Sequence, residues 1–220
     1  MSTKIVTFGE IMIRLSKPGY QRLFQGHRFE GNYGGSEANA AVSLAFMGDR
    51  VEYVTRVPYG PMGDAALMHL REYNLNVSHV VKGGERLGTY YFEEAVAMRN
   101  SRVVYDRKDS SFYTLKRGMI KWEKILDDAG VFHSSGITCA ISRDAMETTM
   151  DALELAVKKG LTVSCDINYR KNLWGYGLQP HDVLYRMMQY SDIIFGDQNE
   201  WEVASGEKHI PFEALDADYE

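Results

Sequence analysis

A chain of 220 residues, 45% hydrophobic and 25% charged, has ordinary globular composition and the length to bury a sizeable core. Its net charge of −5 gives no reason to expect a nucleic-acid partner, so any anionic substrate must be held by locally placed Arg or Lys. Cys139 and Cys165 make neither a disulfide framework nor a zinc spacing, and no signal-peptide segment or membrane-length apolar run occurs; the cytoplasm is the default expectation and no membrane partner is expected.

Lys4 to Phe8 reads as a first strand ending in Gly9-Glu10, and Ile11 to Leu15 alternates like a strand with one exposed face. Lys17-Pro18-Gly19 is a turn, and the 22–33 stretch, without helical period, reads as extended. Tyr33-Gly34-Gly35-Ser36 then opens a helix from Glu37 to Met47, with Ala38, Ala41, Val42 and Ala45 on one face and Gly48 at C′. The glycine pair has two readings. It is a tight turn with Ser36 as N-cap, or a place where backbone and free helix N–H groups approach an oxygen-rich ligand. Val51 to Val57 is a strand, Gly63-Asp64 opens a helix through Leu67, Leu70 and Tyr73, and Val77 to Val81 is a further strand. This alternation predicts an α/β fold with a parallel sheet and crossover helices.

The rhythm breaks at Gly88 to Glu94 and Arg102 to Arg107, two strand-like runs with a tight connection at Asn100-Ser101, which predict an antiparallel hairpin. With 11–15 and 22–33 they form a small separate sheet lying over one end of the main one as a lid; the alternative is an extension of the main sheet's edge. The division expected is a core of 1–10, 34–86 and 109–220 and a lid of 11–33 and 87–108. The two-sided lid strands suggest a homo-oligomer built by edge pairing. The α/β rhythm then resumes. It gives a helix over Ile120–Ala129, a strand over Val131–Ser135, and a long helix over Arg143–Lys159 with Ser142 as N-cap and Gly160 at C′. A buried strand over Leu161–Ile167, a helix over His181–Tyr190, a strand over Ile193–Phe195 and a helix from Glu200 follow. The acidic 212–220 stretch ends without an evident stop, before the further units a doubly wound sheet would have.

Asp166-Ile167-Asn168-Tyr169-Arg170 stands at the C-terminal end of a buried strand, where open parallel sheets bind ligands. It is a polar site, or a strand-end turn with Asp166 and Arg170 paired on the surface. Arg107 ends a lid strand with a planar fork suited to carboxylate or phosphate. Tyr90, Tyr91 and Tyr105 carry phenols able to bond sugar hydroxyls, or are packing aromatics of a small sheet. Asn199 and Glu202, three apart on one helix face, could order water around a divalent cation with phosphates. No Walker loop, dinucleotide fingerprint, zincin or nucleophile-elbow motif occurs, and the scattered histidines make a zinc site improbable.

Taken in order, these residues resemble the ribokinase-like (PfkB) carbohydrate kinases, most of all the branch that phosphorylates 2-keto-3-deoxygluconate. The resemblance runs from Lys4 to about Gly206. It is carried by Phe8-Gly9-Glu10, Gly34-Gly35-Ser36-Glu37-Ala38-Asn39-Ala40-Ala41, Arg56-Val57-Pro58 followed by Gly63-Asp64, Gly88-Thr89-Tyr90, Tyr105-Asp106-Arg107, Asp166-Ile167-Asn168-Tyr169-Arg170 and Asn199-Glu200-Trp201-Glu202. Glu37 replaces the small residue usual in the wider family and is familiar in the ketodeoxygluconate branch. The implied fold is a ribokinase-like, doubly wound, mainly parallel sheet with a small β-sheet lid, C-terminally incomplete.

The resemblance implies that Gly34, Gly35 and Asn39 contact the sugar, Tyr90 (or Tyr91) and Tyr105 reach it from the lid, and Arg107 and Arg170 hold its carboxylate. Asn168 and Arg170 would approach the nucleotide phosphates, and Asn199 and Glu202 would organise Mg²⁺. ATP and Mg²⁺ are the implied cofactors, with a monovalent cation as an open addition; the reaction is γ-phosphoryl transfer to a primary hydroxyl. The family's Gly-Ala-Gly-Asp element, which carries the catalytic Asp and the anion hole, does not occur in these 220 residues. The expectation is a substrate side and lid, inactive alone. The competing readings are a kinase for fructose or another neutral sugar, and a truncated non-catalytic sugar-acid-binding or interaction module.

Overall fold

A computed structural model describes residues 3–208; the 212–220 stretch lies outside the described residues. In chain order the elements are β1 (Lys4–Phe8), β2 (Met12–Ser16), β3 (Glu30–Gly34), α1 (Ser36–Phe46), β4 (Arg50–Val54), β5 (Arg56–Val57), α2 (Pro61–Glu72), β6 (Val81–Lys82), β7 (Gly88–Glu93) and β8 (Arg102–Asp106). They continue with α3 (Trp122–Ile125), β9 (Ala129–Ser135), α4 (Gly136–Ile141), α5 (Arg143–Lys158), β10 (Thr162–Asp166), α6 (Pro180–Gln189), β11 (Ile193–Phe195) and α7 (Gln198–Ser205).

The main sheet has the order β11-β10-β9-β1-β4, and every pairing in it is parallel. Successive side chains of a strand point to opposite faces, and here both faces are buried. Val6 and Phe8 of β1 and Val54 of β4 enter one core with Trp122, Ile125, Leu153, Leu184 and Met187. Val51 and Tyr53 enter the other with Ala38 and Ala41 of α1 and Ala66, Leu67 and Leu70 of α2. The sheet is therefore wound on both sides. The lid is a separate mixed sheet of order β3-β2-β7-β8, in which β2 and β7 run parallel and the outer pairs antiparallel. The edge-extension alternative does not hold, and the 88–107 hairpin does. Strand β8 forms one edge of the lid and is exposed along its length.

The caps of α5 are those read from the sequence. Ser142 Oγ accepts from the Ala145 N–H at 3.2 Å, and Gly160 has φ +73°. Several expectations need correction. The helix over 120–129 shrinks to the single turn of α3, because Trp122, Ile125 and Leu126 give helical spacing but Ala129 already starts β9. The strand over 51–57 is two: after Val54 the chain leaves the main sheet, and Arg56-Val57 pairs with Val81-Lys82, which is all that forms of the 77–81 strand. The 22–33 stretch is extended as a strand only from Glu30; before it the Gln25 N–H donates to the Arg22 carbonyl at 2.9 Å in a turn, and helix α4 stands where the sequence reading places no element. Finally, Ser36 is not an N-cap. Gly35 holds that position in extended backbone, φ 176°, with no side-chain cap.

The glycine pair is thus not a left-handed turn. What Gly35 requires is close approach: an added Cβ would fall within 3.0 Å of the Glu10 carbonyl oxygen, which is backbone and cannot move aside. Gly35→Ala should cost roughly 1–3 kcal/mol of overpacking, read as a lowered urea midpoint with unchanged slope; a wild-type midpoint contradicts the packing described.

Candidate functional site

A cavity of about 660 Å³ opens between the end of the lid and the loop after β10. Arg102, Tyr105, Arg107 and Lys108 line it from the lid side; Arg170, Lys171, Trp174 and Tyr176 line it from the loop, with Ala140 and Ile141 at the end of α4. Five of the lining side chains are cationic, and no Asp or Glu lines it. In a chain of net charge −5 that is a local reversal of sign, suited to an anion.

The two arginines singled out in the sequence, Arg107 and Arg170, share this cavity with Tyr105. Arg107 is buried. Its Nε and Nη2 donate to Glu10 Oε2 at 2.9 and 2.6 Å, while its Nη1 is buried without a partner. The guanidinium lies 5.3 Å from the centre of the Tyr105 ring, a cation–π distance, and that ring lies 5.8 Å from Tyr90 across the β7–β8 pairing. Tyr90 leads to the glycine pair: a Cβ on Gly34 would sit 3.2 Å from the Tyr90 hydroxyl and 3.8 Å from Asn39 Oδ1. Gly34, Asn39, Tyr90, Tyr105 and Arg107 therefore form one continuous wall, although Gly34, Gly35, Asn39 and Tyr90 do not line the cavity itself. Tyr91 faces elsewhere, against Phe29 at 6.0 Å.

The second wall starts at β10. Asn168 has φ +39°, and its Nδ2 donates to Ser36 Oγ at 2.8 Å and more loosely to Asp166 Oδ2 at 3.3 Å, tying the strand end to the first turn of α1. Its Oδ1 is buried without a partner. An orphaned acceptor suits a hydroxyl donor, whereas a phosphate contact would require Nδ2 to give up one of its two bonds, most readily the looser one to Asp166. Burial, and then the Glu200 charge, push the Asp166 carboxyl above the usual range. Arg170 does not pair with Asp166. It is half exposed and lies 3.7 Å from Glu200 Oε1, which also accepts from the Tyr169 N–H at 3.0 Å. Glu200 and Asp197 close a capping box at the start of α7, with Asn199 exposed and Glu202 half-buried on one face of that helix. Neither lines the cavity. Among the described residues no group of three or more His, Cys, Asp or Glu could hold a metal ion.

A third feature holds α1 in place. Glu37, one residue into the helix, is fully buried. Its Oε1 accepts from the Ser135 N–H at 2.9 Å, Ser135 Oγ at 2.6 Å and Thr138 Oγ1 at 2.7 Å, locking α1 to the β9–α4 junction. Burial raises its pKa despite those donors. Gly9 makes room for this carboxylate, since a Cβ there would collide with it.

Sequence reasoning passed over Trp174, Tyr176, Arg102, Lys108 and Lys171. Trp174 has φ +71°, exceptional for so large a residue, and is fixed by its backbone N–H to the Ala140 carbonyl at 3.1 Å; Tyr176 is fixed by its hydroxyl to the Cys139 carbonyl at 2.6 Å. The available signal was the clustering of cations in 102–108 and 170–171.

The model of the family described as pfkB family carbohydrate kinase matches residues 2–218. A 2-dehydro-3-deoxygalactonokinase of Haloferax volcanii is 35% identical over 174 residues, covering 79% of this chain and 54% of that protein. A 2-dehydro-3-deoxygluconokinase of Bacillus subtilis is 27% identical over 209 residues, covering 94% and 64%. The crystal structure of a 2-dehydro-3-deoxygluconokinase of Thermotoga maritima superposes with a TM-score of 0.90 at 41% identity, over 99% of this chain and 68% of that one. The chain thus spans between about half and two thirds of the length of these relatives.

Proposed function

Since the chain belongs to the pfkB family of carbohydrate kinases, we propose that it is the substrate side and lid of a kinase that transfers the ATP γ-phosphoryl to the primary hydroxyl of 2-keto-3-deoxygluconate or its galacto epimer. The observation that carries this reading is the cavity with Arg107 and Arg170 among five cationic lining side chains and no Asp or Glu in its lining; the carboxylates that pair with the two arginines, Glu10 and Glu200, lie outside that lining. Five cationic side chains against the two carboxylates paired with Arg107 and Arg170 leave the cavity net positive, which matches a sugar acid better than a neutral sugar such as fructose. Relatives named for 2-dehydro-3-deoxy sugar acids support the same choice.

In this reading Arg107 and Arg170 grip the carboxylate, and Tyr105, Tyr90, Asn39 and the backbone at Gly34-Gly35 orient the hydroxyls. Asn168, through its unpartnered Oδ1, accepts from a ligand hydroxyl; phosphate oxygens, themselves acceptors, cannot bond to that atom. Arg170 and the start of α7 face the nucleotide. Mg²⁺ would arrive with the ATP phosphates and keep much of its water shell, with Asn199 and Glu202 ordering that water rather than forming a closed cage. Positioning and charge neutralisation supply most of the rate in such transfers. These residues supply positioning; the base and anion hole that the family carries in a Gly-Ala-Gly-Asp element are not among the 220 residues.

The 220-residue chain, given ATP, Mg²⁺ and 2-keto-3-deoxygluconate, should bind the acid and form no phosphorylated product by coupled assay or ³¹P NMR; product formation contradicts the reading that these 220 residues lack the base and anion hole. The exposed β8 edge is further proposed as the seat of self-association, with a dimer expected by light scattering and a monomer at all concentrations contradicting it.

A further inference from the structure

Four chain segments join the main sheet to the lid: 9–11 after β1, 34–35 between the end of β3 and α1, 83–88 running into the first residue of β7, and 107–111 after β8. Glu10 sits in the first and touches the other three. Its carbonyl oxygen lies against Gly35, where no Cβ fits. Its Oε1 occupies the space a Cβ on Gly88 would need, 2.6 Å away, and accepts from Ser110 Oγ at 2.6 Å. Its Oε2 takes Nε and Nη2 of Arg107. Glu10 is 3% exposed, so this is a built and enclosed arrangement. Ser110 Oγ in turn accepts from the Tyr113 N–H at 3.1 Å, extending the network to another cavity-lining residue.

We propose that Glu10 is the positioning residue that sets Arg107 for recognition of an anionic ligand, so that selectivity for the acid depends on a carboxylate that itself touches no ligand. The inference rests on the reading of Arg107 as a carboxylate-gripping group. An arginine carries considerable rotamer freedom, and ordering it during binding weakens affinity. Two hydrogen bonds to one Glu10 oxygen remove that freedom beforehand. They engage one edge of the guanidinium and leave Nη1 on the opposite edge without a protein partner. Glu10 does lower the net charge at Arg107, as Glu200 does at Arg170, but Arg102, Lys108 and Lys171 keep the lining cationic, so the charge given up at Arg107 does not remove the cavity's preference for an anion.

The test is calorimetric titration of 2-keto-3-deoxygluconate into the 220-residue chain and its Glu10→Gln, Arg107→Ala and doubly substituted variants, with the Arg107 Nε–H resonance followed by NMR. Glu10→Gln should weaken binding about tenfold or more, add nothing in the Arg107→Ala background, and broaden the Arg107 Nε–H signal while the backbone amides of the lid keep their shifts. Should Glu10→Gln fail to fold, Ser110→Ala, which removes the second anchor of the same carboxylate, should weaken binding severalfold with the same change at Arg107. Unchanged or tighter binding in Glu10→Gln, or loss of equal size with and without Arg107, overturns the positioning role alone. A wild-type chain that ignores the acid overturns the substrate reading on which it rests.

Discussion

Arg107→Ala should lower affinity for the sugar acid by about 10- to 100-fold, the worth of a charge-assisted hydrogen bond to a carboxylate. The substitution acts twice. It takes one of the two guanidiniums from the cavity, and it leaves Glu10, buried beneath the lid, without its cation. Removing one partner of a buried pair costs roughly 3–5 kcal/mol, so thermal stability should fall as well. The two effects separate cleanly. Adding Glu10→Gln to Arg107→Ala should restore part of the stability and none of the affinity. Arg107→Lys should be poorly tolerated too, because an ammonium cannot take the two-point contact with Glu10 and face a ligand at once. Isothermal titration and chemical denaturation on the same samples read both quantities. Full affinity in Arg107→Ala would return this arginine to a purely structural role.

The second large effect is at Glu37. Truncation to Ala strands three donors, Ser135 N–H, Ser135 Oγ and Thr138 Oγ1, and leaves a cavity where Gly9 meets the carboxylate. The expected loss is on the order of 3–5 kcal/mol. Glu37→Gln keeps an oxygen for the donors and should lose far less. The pH dependence follows from the raised pKa. The folded state holds the Glu37 proton more tightly than the unfolded chain does. This group's contribution is therefore complete below the ordinary carboxylate range and is lost as pH rises through the folded value. Wild type should show that decline in urea-denaturation free energy with rising pH, and Glu37→Gln should flatten it. Equal stability losses for Ala and Gln, or identical pH profiles for wild type and Glu37→Gln, would contradict this account of the buried carboxylate.

The elements that were legible in the sequence are those whose own residues decide them. Helix α5 has a long amphipathic period, a Ser142 cap and a terminal glycine, and the central strands are apolar runs of β-branched residues. Helix α4 was not legible, since Gly136-Ile137-Thr138-Cys139-Ala140-Ile141 has no polar face to set a period, and all of it but the half-buried Ile137 is buried by the fold around it. The break between β4 and β5 at Thr55 is a tertiary decision: the chain changes sheets without a proline or glycine to mark it. In the site, Arg107, Arg170 and Tyr105 were visible as residue types at strand ends, and Tyr90 as a phenol within a lid strand. The Glu10–Arg107 pair was not, because its partners lie 97 residues apart and only the lid crossings bring them together. The strained Trp174 was invisible for a similar reason: nothing local favours a positive φ for tryptophan, and the surrounding contacts impose it.

The proposed role of this chain is the sugar-acid side of a phosphoryl-transfer cleft. Titration calorimetry of the wild-type 220-residue chain with 2-keto-3-deoxygluconate and, in parallel, with fructose tests it most directly. The account predicts saturable one-to-one binding of the acid that weakens in both Arg107→Ala and Arg170→Ala, with fructose at least tenfold weaker in wild type. Equal affinity for the two sugars, or acid binding indifferent to both arginines, would contradict it.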